Sequence, residues 1–141
     1  MDAINVLLVE DNRSDVILLM EALAQAGINY SIHHAKDGVI AMEFLQRRKP
    51  YSSAPRPDLI ILDLNLPRKD GREVLAEVMK DADLRRIPLV VLTSSITDHD
   101  IIGALGLPEE RYLVKPTLFH DYVEITRTIE AIRCAANRQL L

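Results

Sequence analysis

Two patterns of apolar and polar positions alternate along this chain. Short runs of branched apolar residues, such as Leu59–Leu62, are too brief for helices and predict buried strands. Between these runs the apolar residues recur three and four positions apart, as they do from Ser14 onward, and this spacing predicts amphipathic helices. Gly27 marks the end of the first predicted helix.

The alternation comprises five predicted strands and five predicted helices. The strands are expected at 4–9, 30–35, 59–62, 89–92 and 112–114. The helices are expected at 14–26, 39–45, 73–80, 98–105 and about 118–137, the fourth of them interrupted by Gly103 and Gly106. The stretch 49–57 holds three prolines and is expected to be a loop. Such alternation predicts an α/β fold with a parallel sheet covered by helices on both faces.

Composition limits the classes of protein to which this chain can belong. Its 141 residues suit one domain, and 48% hydrophobic with 27% charged residues is typical of a globular protein in water. The net charge of −4 gives no basic footprint for nucleic acid. The single cysteine, Cys134, fits a reducing compartment, and we find neither a membrane-spanning apolar stretch nor a signal peptide. We therefore expect a cytoplasmic protein that binds neither nucleic acid nor a membrane.

Four of the predicted strands end in polar residues that could share one site. Asp63 directly follows the apolar run 59–62, and an acid in that position is costly unless its charge is used. The other three strand ends are Glu10-Asp11, Thr93-Ser94 and Lys115-Pro116. In an open parallel sheet, ligand sites form outside the carboxyl ends of the strands, so we expect these groups to converge in one crevice.

The acidic residues at this edge predict a metal site. Glu10, Asp11 and Asp63 carry three negative charges, and packing them together is unfavourable without a cation. Mg²⁺ suits a site with few carboxylates, several waters and a phosphate oxygen. The backbone carbonyl of Asn65, just after the strand end, is a further candidate ligand.

The same edge offers the groups that phosphoryl transfer requires. A carboxylate oxygen of Asp63 could attack a phosphoryl group in line, while the metal and Lys115 neutralise charge on the transferring oxygens. Thr93 offers a hydroxyl donor to a phosphate oxygen. A cis bond between Lys115 and Pro116 would be one way to aim the lysine inward. These residue types predict reversible phosphorylation of Asp63.

With these motifs the chain resembles the receiver domains of bacterial two-component response regulators. The resemblance rests on Val9-Glu10-Asp11-Asn12, Asp63-Leu64-Asn65-Leu66-Pro67 with Asp70-Gly71, Val91-Leu92-Thr93-Ser94 and Tyr112-Leu113-Val114-Lys115-Pro116. It implies a flavodoxin-like, doubly wound five-stranded parallel sheet in the order 2-1-3-4-5. It also implies that Asp63 accepts a phosphoryl group from a histidine kinase in a phosphorelay. Glu10 and Asp11 would then help to hold Mg²⁺, and Thr93 and Lys115 would contact the phosphate.

The resemblance further implies a conformational switch. On phosphorylation, Thr93 would move toward the phosphate and Tyr112 would turn inward to fill the vacated space. The reporting face would be built from the fourth helix, the fifth strand and the fifth helix, and the glycine-interrupted segment 98–107 would rearrange easily. Such a protein catalyses only its own phosphorylation and dephosphorylation, so we expect no further enzymatic activity.

The resemblance covers essentially the whole chain, so we expect one receiver domain at 1–141 with an extended last helix and no output domain. The proline-containing loop before the third strand and the block 63–75 are similar to regulators paired with bacterial phytochrome kinases. Members of that group often form homodimers through the region of the fourth and fifth helices. Phe119 and Val123 would provide an apolar edge for such a dimer, beside a core stripe of Leu118, Tyr122, Ile125, Ile129 and Ile132.

Other interpretations remain open for parts of this pattern. Asp15, in the first turn of the first helix, is expected to serve the helix dipole, and Asn12 is expected to be a local cap or loop donor rather than a catalytic residue. A pseudo-receiver that binds partners without phosphate would keep the same fold, although an incomplete acidic set would then be expected. A phosphatase acting on small phosphoesters would need a second acid two residues after its nucleophile, where this chain has Asn65. The downstream partner is not identified by any of these residues.

Overall fold

The three most apolar runs of the sequence become the central strands of a parallel sheet. The computed structural model describes residues 3–94 and 98–139, and its five-stranded sheet has the order β2-β1-β3-β4-β5. The strands are β1 (Ile4–Val9), β2 (Tyr30–Ala35), β3 (Leu59–Leu62), β4 (Leu89–Thr93) and β5 (Tyr112–Val114). The helices are α1 (Arg13–Ala26), α2 (Gly38–Leu45), α3 (Gly71–Lys80), α4 (His99–Ala104) and α5 (Phe119–Gln139). The predicted fold class and strand order are confirmed.

Successive residues of the central strands point into two different cores, because side chains alternate between the faces of a strand. On one face, Leu7, Ile60 and Val91 pack with buried residues of α2 and α3 and with Ile102 of α4. On the other face, Leu8 and other strand residues pack with buried residues of α1 and α5. Both faces of the sheet are therefore covered, as the continuous apolar runs predict.

The register of the strands brings their carboxyl ends to one edge of the sheet. Val9 of β1 is paired with Leu62 of β3, and Leu62 is paired with Val91 of β4. Thr93, at the end of β4, is paired with Val114 of β5. The residues that follow these ends, including Glu10, Asp63 and Lys115, consequently emerge side by side.

The boundaries of several elements differ from the predictions. α3 begins at Gly71 rather than at position 73, and α4 is shorter than the predicted helix 98–105. Two short 3₁₀ turns, Leu84–Arg86 and Glu109–Arg111, were not predicted. That one receiver domain spans 1–141 without an output domain stays a prediction.

The predicted apolar faces of the last helix are partly wrong. Leu118 precedes α5 and is exposed instead of lying in the core stripe, and Val123 is buried instead of forming an outer edge. The reason is that α5 lies against α1, where Tyr122 and Val123 pack around Ala22. α5 is the longest helix, and none of the helices in the described parts of the chain combines the length and apolar character that crossing a membrane requires.

Gly71 allows the loop between β3 and α3 to fold back onto the end of β3. A Cβ atom at this position would lie 2.2 Å from the backbone oxygen of Asp63 and 2.5 Å from the Cα of Leu64. The backbone N–H of Gly71 also donates a hydrogen bond to the carbonyl of Leu64 at 2.9 Å. Because backbone atoms cannot give way as a flexible side chain can, this close approach requires glycine.

We predict that Gly71→Ala lowers the free energy of unfolding by about 2 kcal/mol or more, because the new methyl group overpacks rigid backbone. Urea denaturation monitored by circular dichroism would measure the change.

Gly103→Ala in α4 is the matched control, since a Cβ there would have no neighbour within 4 Å. We expect it to be neutral or to raise the stability by up to about 1 kcal/mol, because alanine favours a helix over glycine. Equal losses of stability in the two variants would contradict the explanation.

Candidate metal and phosphoryl-acceptor site

Three carboxyl groups converge at the carboxyl edge of the sheet. Glu10, Asp11 and Asp63 each offer an oxygen atom, and these oxygens all lie within 4.8 Å of one another. Glu10 and Asp63 are buried, whereas Asp11 is exposed at the mouth of the cluster. The structure thus brings together the three acids that the sequence predicts as metal ligands.

Lys115 lies among carboxylates beside this cluster. Its Nζ is 2.6 Å from Glu10 Oε1, 2.8 Å from Asp15 Oδ2 and 3.2 Å from Asp63 Oδ2. The side chain of Lys115 is only 10% exposed, so these contacts are made largely away from solvent. The ammonium group therefore neutralises part of the negative charge that the strand ends bring together.

The two side-chain oxygens of Asp63 have different surroundings. Oδ2 accepts a hydrogen bond from Lys115, while Oδ1 is buried and has no hydrogen-bond partner among the described residues. A buried oxygen without a partner is costly, and a cation bound there would remove that cost. The donors are all oxygen atoms, which hard divalent cations such as Mg²⁺ prefer. Asp63 Oδ1 therefore fits a metal ligand.

Burial and charge shift the pKa values of the two groups that flank Asp63. The pKa of Glu10 is raised to about 7. Burial is the largest cause and the negative charge of Asp63 also raises the pKa, whereas the hydrogen bond from Lys115 lowers it. Burial alone would lower the pKa of Lys115, but the hydrogen bonds to Asp15 and Glu10 outweigh it and raise the pKa above its ordinary value. Near neutral pH, Lys115 is charged while Glu10 binds a proton for part of the time.

The loop that carries the first two acids is fixed by local hydrogen bonds. The backbone N–H of Asn12 donates to Glu10 Oε2 at 3.1 Å, and Asn12 Oδ1 accepts from the N–H of Asp15 as the cap of α1. The carbonyl of Glu10 lies 2.6 Å from Nε2 of His34 on β2. The cap predicted for Asn12 is thus present, and its position orients the acidic loop.

Thr93 and Tyr112, the predicted switch residues, lie on neighbouring strands, where Thr93 ends β4 and Tyr112 begins β5 opposite Val91. Thr93 is fully buried, and its carbonyl accepts a hydrogen bond from the backbone N–H of Lys115 at 2.8 Å. Tyr112 is half-buried, and its ring meets that of His99 edge-on at a centroid distance of 5.4 Å. Tyr112 therefore contacts the first turn of α4.

An ion pair outside the acidic cluster connects α3 to the residue before α4. Arg72, next to the close-packed Gly71, contacts both oxygens of Asp70 at 3.0 Å and also pairs with Asp98, the residue before α4. This pair was not predicted from the sequence, because an arginine and an aspartate separated by 26 residues form no recognisable motif. The pair fixes the start of α4 relative to the end of β3.

Two structural features accompany Lys115: its contact with Asp15 and the isomer of its bond to Pro116. Asp15 does lie in the first turn of α1, but it pairs directly with Lys115 in addition to any interaction with the helix dipole. The cis peptide bond among the described residues joins Lys49 to Pro50, whereas Lys115–Pro116 is trans, and Lys115 nevertheless reaches the acidic cluster. Asn65 is exposed, and metal binding by its backbone carbonyl stays a prediction.

Comparisons with known proteins agree with this geometry. Residues 6–127 match the model of a family described as the response regulator receiver domain. The response regulator Rcp1 of Synechocystis sp. is 45% identical over 126 residues, which cover 89% of this chain and 86% of that protein. The crystal structure of the phosphorylated cyanobacterial phytochrome response regulator RcpA is 43% identical, with a TM-score of 0.82 over 92% of each chain. That of the Mn²⁺-bound form of Rcp1 is 44% identical, with a TM-score of 0.79 over 90% of this chain and 91% of the other.

We predict that the affinity for Mg²⁺ falls as the pH drops below 7. Protonated Glu10 cannot bind a cation, and its raised pKa means that a proton competes with the metal near neutrality. One competing proton makes binding about 10-fold weaker at pH 6 than at pH 8. Isothermal titration calorimetry across this pH range would measure the effect.

Glu10→Gln provides the control for this pH dependence. The amide cannot titrate, so we expect weaker binding at every pH and a much flatter dependence between pH 6 and pH 8. An equally steep dependence in this variant would assign the competing proton to a different group.

Proposed function

This chain belongs to the response regulator receiver domain family, and on that premise we propose that it is a phosphorylation-dependent switch whose phosphoryl acceptor is Asp63. The observation that carries the proposal is the state of the Asp63 side chain. It is buried at the end of β3, where Oδ2 accepts a hydrogen bond from Lys115 and Oδ1 has no hydrogen-bond partner among the described residues. One oxygen is thus suited to a cation, and the other lies beside the ammonium group.

The chemistry follows from these contacts. An oxygen of Asp63 attacks the phosphorus of a phosphohistidine, the new O–P bond forms, and the N–P bond breaks. Lys115 remains beside the acceptor and can donate a hydrogen bond to a phosphoryl oxygen. A bound Mg²⁺ would neutralise negative charge on the transferring group, and Glu10, Asp11, Asp63 and the carbonyl of Asn65 would hold it.

The phosphate would be reported through Thr93 and Tyr112. A hydroxyl at the end of β4 can donate to the new dianion and draw the following loop inward. Tyr112 is half-buried against His99, so a shift of this loop and of α4 would open or close the space that its ring occupies. The residues 95–97 of that loop lie outside the described parts of the chain, so the rearrangement stays a prediction.

We propose a histidine kinase as the phosphoryl donor, and specifically a bacterial phytochrome kinase. The support is the likeness to RcpA, which is described as a cyanobacterial phytochrome response regulator, over 92% of the chain. The phosphoryl transfer would take place in the cytoplasm. A single cysteine, Cys134, suits the reducing environment of that compartment.

We also propose that the protein forms homodimers through α4, β5 and α5. Exposed apolar side chains occur on all three elements and directly before α5: Ile101, Val114, Phe119 and, before the helix, Leu118. Large exposed apolar residues that share one side of a protein are typical of an interface. The dimer edge predicted from Phe119 and Val123 is thereby revised, because Val123 is buried and Leu118 is exposed.

Incubation with a small phosphodonor and Mg²⁺, followed by intact-mass spectrometry, tests the main proposal. We expect the protein to gain one phosphoryl group and Asp63→Asn to gain none, because an amide oxygen is a poor nucleophile.

Asp100→Asn is the control for this experiment. Asp100 is an exposed acid of α4 without an ion pair among the described residues, and the variant should be phosphorylated like the unaltered protein. Absence of a mass gain in the unaltered protein would favour a pseudo-receiver that works without phosphate.

Light scattering across a range of protein concentrations tests the dimer. We expect the mass of the unaltered protein to approach that of two chains. The mass of Leu118→Glu should remain that of one chain, because an unpaired charge buried in the interface opposes association. Leu118 is 56% exposed, and Met20 on α1 is 48% exposed. Met20→Glu is therefore the control and should still dimerise. If the unaltered protein has the mass of a single chain at all concentrations, the proposed dimer is wrong.

A further inference from the structure

We propose that Asp15 is a positioning residue for the phosphoryl transfer to Asp63: it holds the Lys115 ammonium group beside the acceptor. The inference rests on the proposed function, since it assigns a role in that reaction. Asp15 takes no part in making or breaking bonds to phosphorus, so it is not a catalytic residue. Its role follows from the contacts of Lys115.

All three protons of the ammonium group are matched by carboxylates. Lys115 Nζ lies within hydrogen-bond distance of Glu10, Asp15 and Asp63, at 2.6 to 3.2 Å. An ammonium group has three N–H donors and no acceptor, so each donor can serve one of these carboxylates. The three contacts together fix Nζ in space, which two contacts would not do.

The three carboxylates differ in what else they do. Glu10 and Asp63 belong to the acidic cluster that suits a cation, and Asp63 is also the proposed acceptor. Asp15 is not a member of that cluster among the described residues. Once a cation shares the charge of Glu10 and Asp63, their attraction for Lys115 weakens. Asp15 is then the one carboxylate of the three that interacts with Lys115 and not with the cation.

Asp15 is itself held firmly in the fold. It lies in the first turn of α1, where its backbone N–H donates to the Asn12 cap, and its side chain is 25% exposed. The contact between Asp15 and Lys115 therefore joins a helix of one core to the end of β5 across 100 residues of chain. A charge on a capped helix is a more rigid anchor than one on a loop.

There is little room for Lys115 to move away. Beneath the site lies a cavity of only about 10 Å³, lined by Asp15, Lys115 and Asp63 together with Leu19, Leu92 and Tyr122. A cavity of this size holds at most one water molecule, so the lysine cannot retreat into it. The position of Lys115 is therefore set by the three carboxylates that contact its ammonium group.

Asp15→Ala tests the inference. Its rate of phosphorylation by a small phosphodonor should fall by about 10-fold or more, because a misplaced charge loses much of its effect on transfer. Its dissociation constant for Mg²⁺ should stay within about 3-fold of that of the unaltered protein, because Asp15 is not a metal ligand. Asp15→Asn should recover part of the rate, since its amide oxygen still accepts a hydrogen bond from Lys115.

The protein saturated with Mg²⁺ gives a second measurement that needs no reaction, because Glu10 and Asp63 then hold Lys115 less strongly. The ¹⁵N-edited NMR signal of the Lys115 ammonium group should be observable in the unaltered protein and lost in Asp15→Ala, because a freed ammonium group exchanges its protons faster. Glu21→Ala, which removes an exposed acid from the same helix, should change neither the signal nor the rate.

Two results would overturn the inference. One is phosphorylation of Asp15→Ala within about 2-fold of the unaltered protein. The other is a loss of Mg²⁺ affinity as large as the loss of rate, which would make Asp15 part of the metal site. If the unaltered protein accepts no phosphate, the proposed function fails by itself. The NMR signal would then still decide whether Asp15 fixes Lys115.

Discussion

The whole site depends on one buried ammonium group. Carboxylates of Glu10, Asp15 and Asp63 lie within 3.2 Å of Lys115 Nζ, and burying them together without a positive charge would be strongly unfavourable. Each carboxylate comes from a different element or strand end, so the lysine joins β1, β3 and β5 to α1. The three contacts of Lys115 thus form one electrostatic unit, and removing the lysine would leave three carboxylates without their shared positive charge.

The convergence of these residues could be predicted from the sequence because it follows from backbone geometry. Parallel strands point their carboxyl ends toward one edge, so polar residues that end apolar runs must meet there. The prediction needed only the run Leu59–Leu62 and its three counterparts, and the register of Val9, Leu62 and Val91 agrees with it. Central strands are the easiest elements to recognise, because burial on both faces leaves few polar positions inside them, such as Asn5 of β1.

Contacts that depend on helix packing could not be predicted in the same way. Asp15 and Lys115 are 100 residues apart, and their meeting depends on how α1 packs against the face of the sheet beside the end of β5. In the sequence, an acid in a first helical turn has a sufficient local explanation in the helix dipole. Leu118 and Val123 show the same limit, since periodicity gives the spacing of an apolar stripe but neither the start nor the rotation of the helix.

The charges of the site also explain why phosphoryl acceptance should require a cation. Glu10, Asp11, Asp15 and Asp63 are acids, and Lys115 is the one base that pairs with this group among the described residues. When these acids are ionised, the site keeps a negative charge that repels an anionic phosphodonor at short range. The same surplus attracts a divalent cation, for which Asp63 Oδ1 is already buried and without a partner among the described residues. Metal binding and reactivity toward phosphate therefore have a common cause in the excess of acids over bases at this edge.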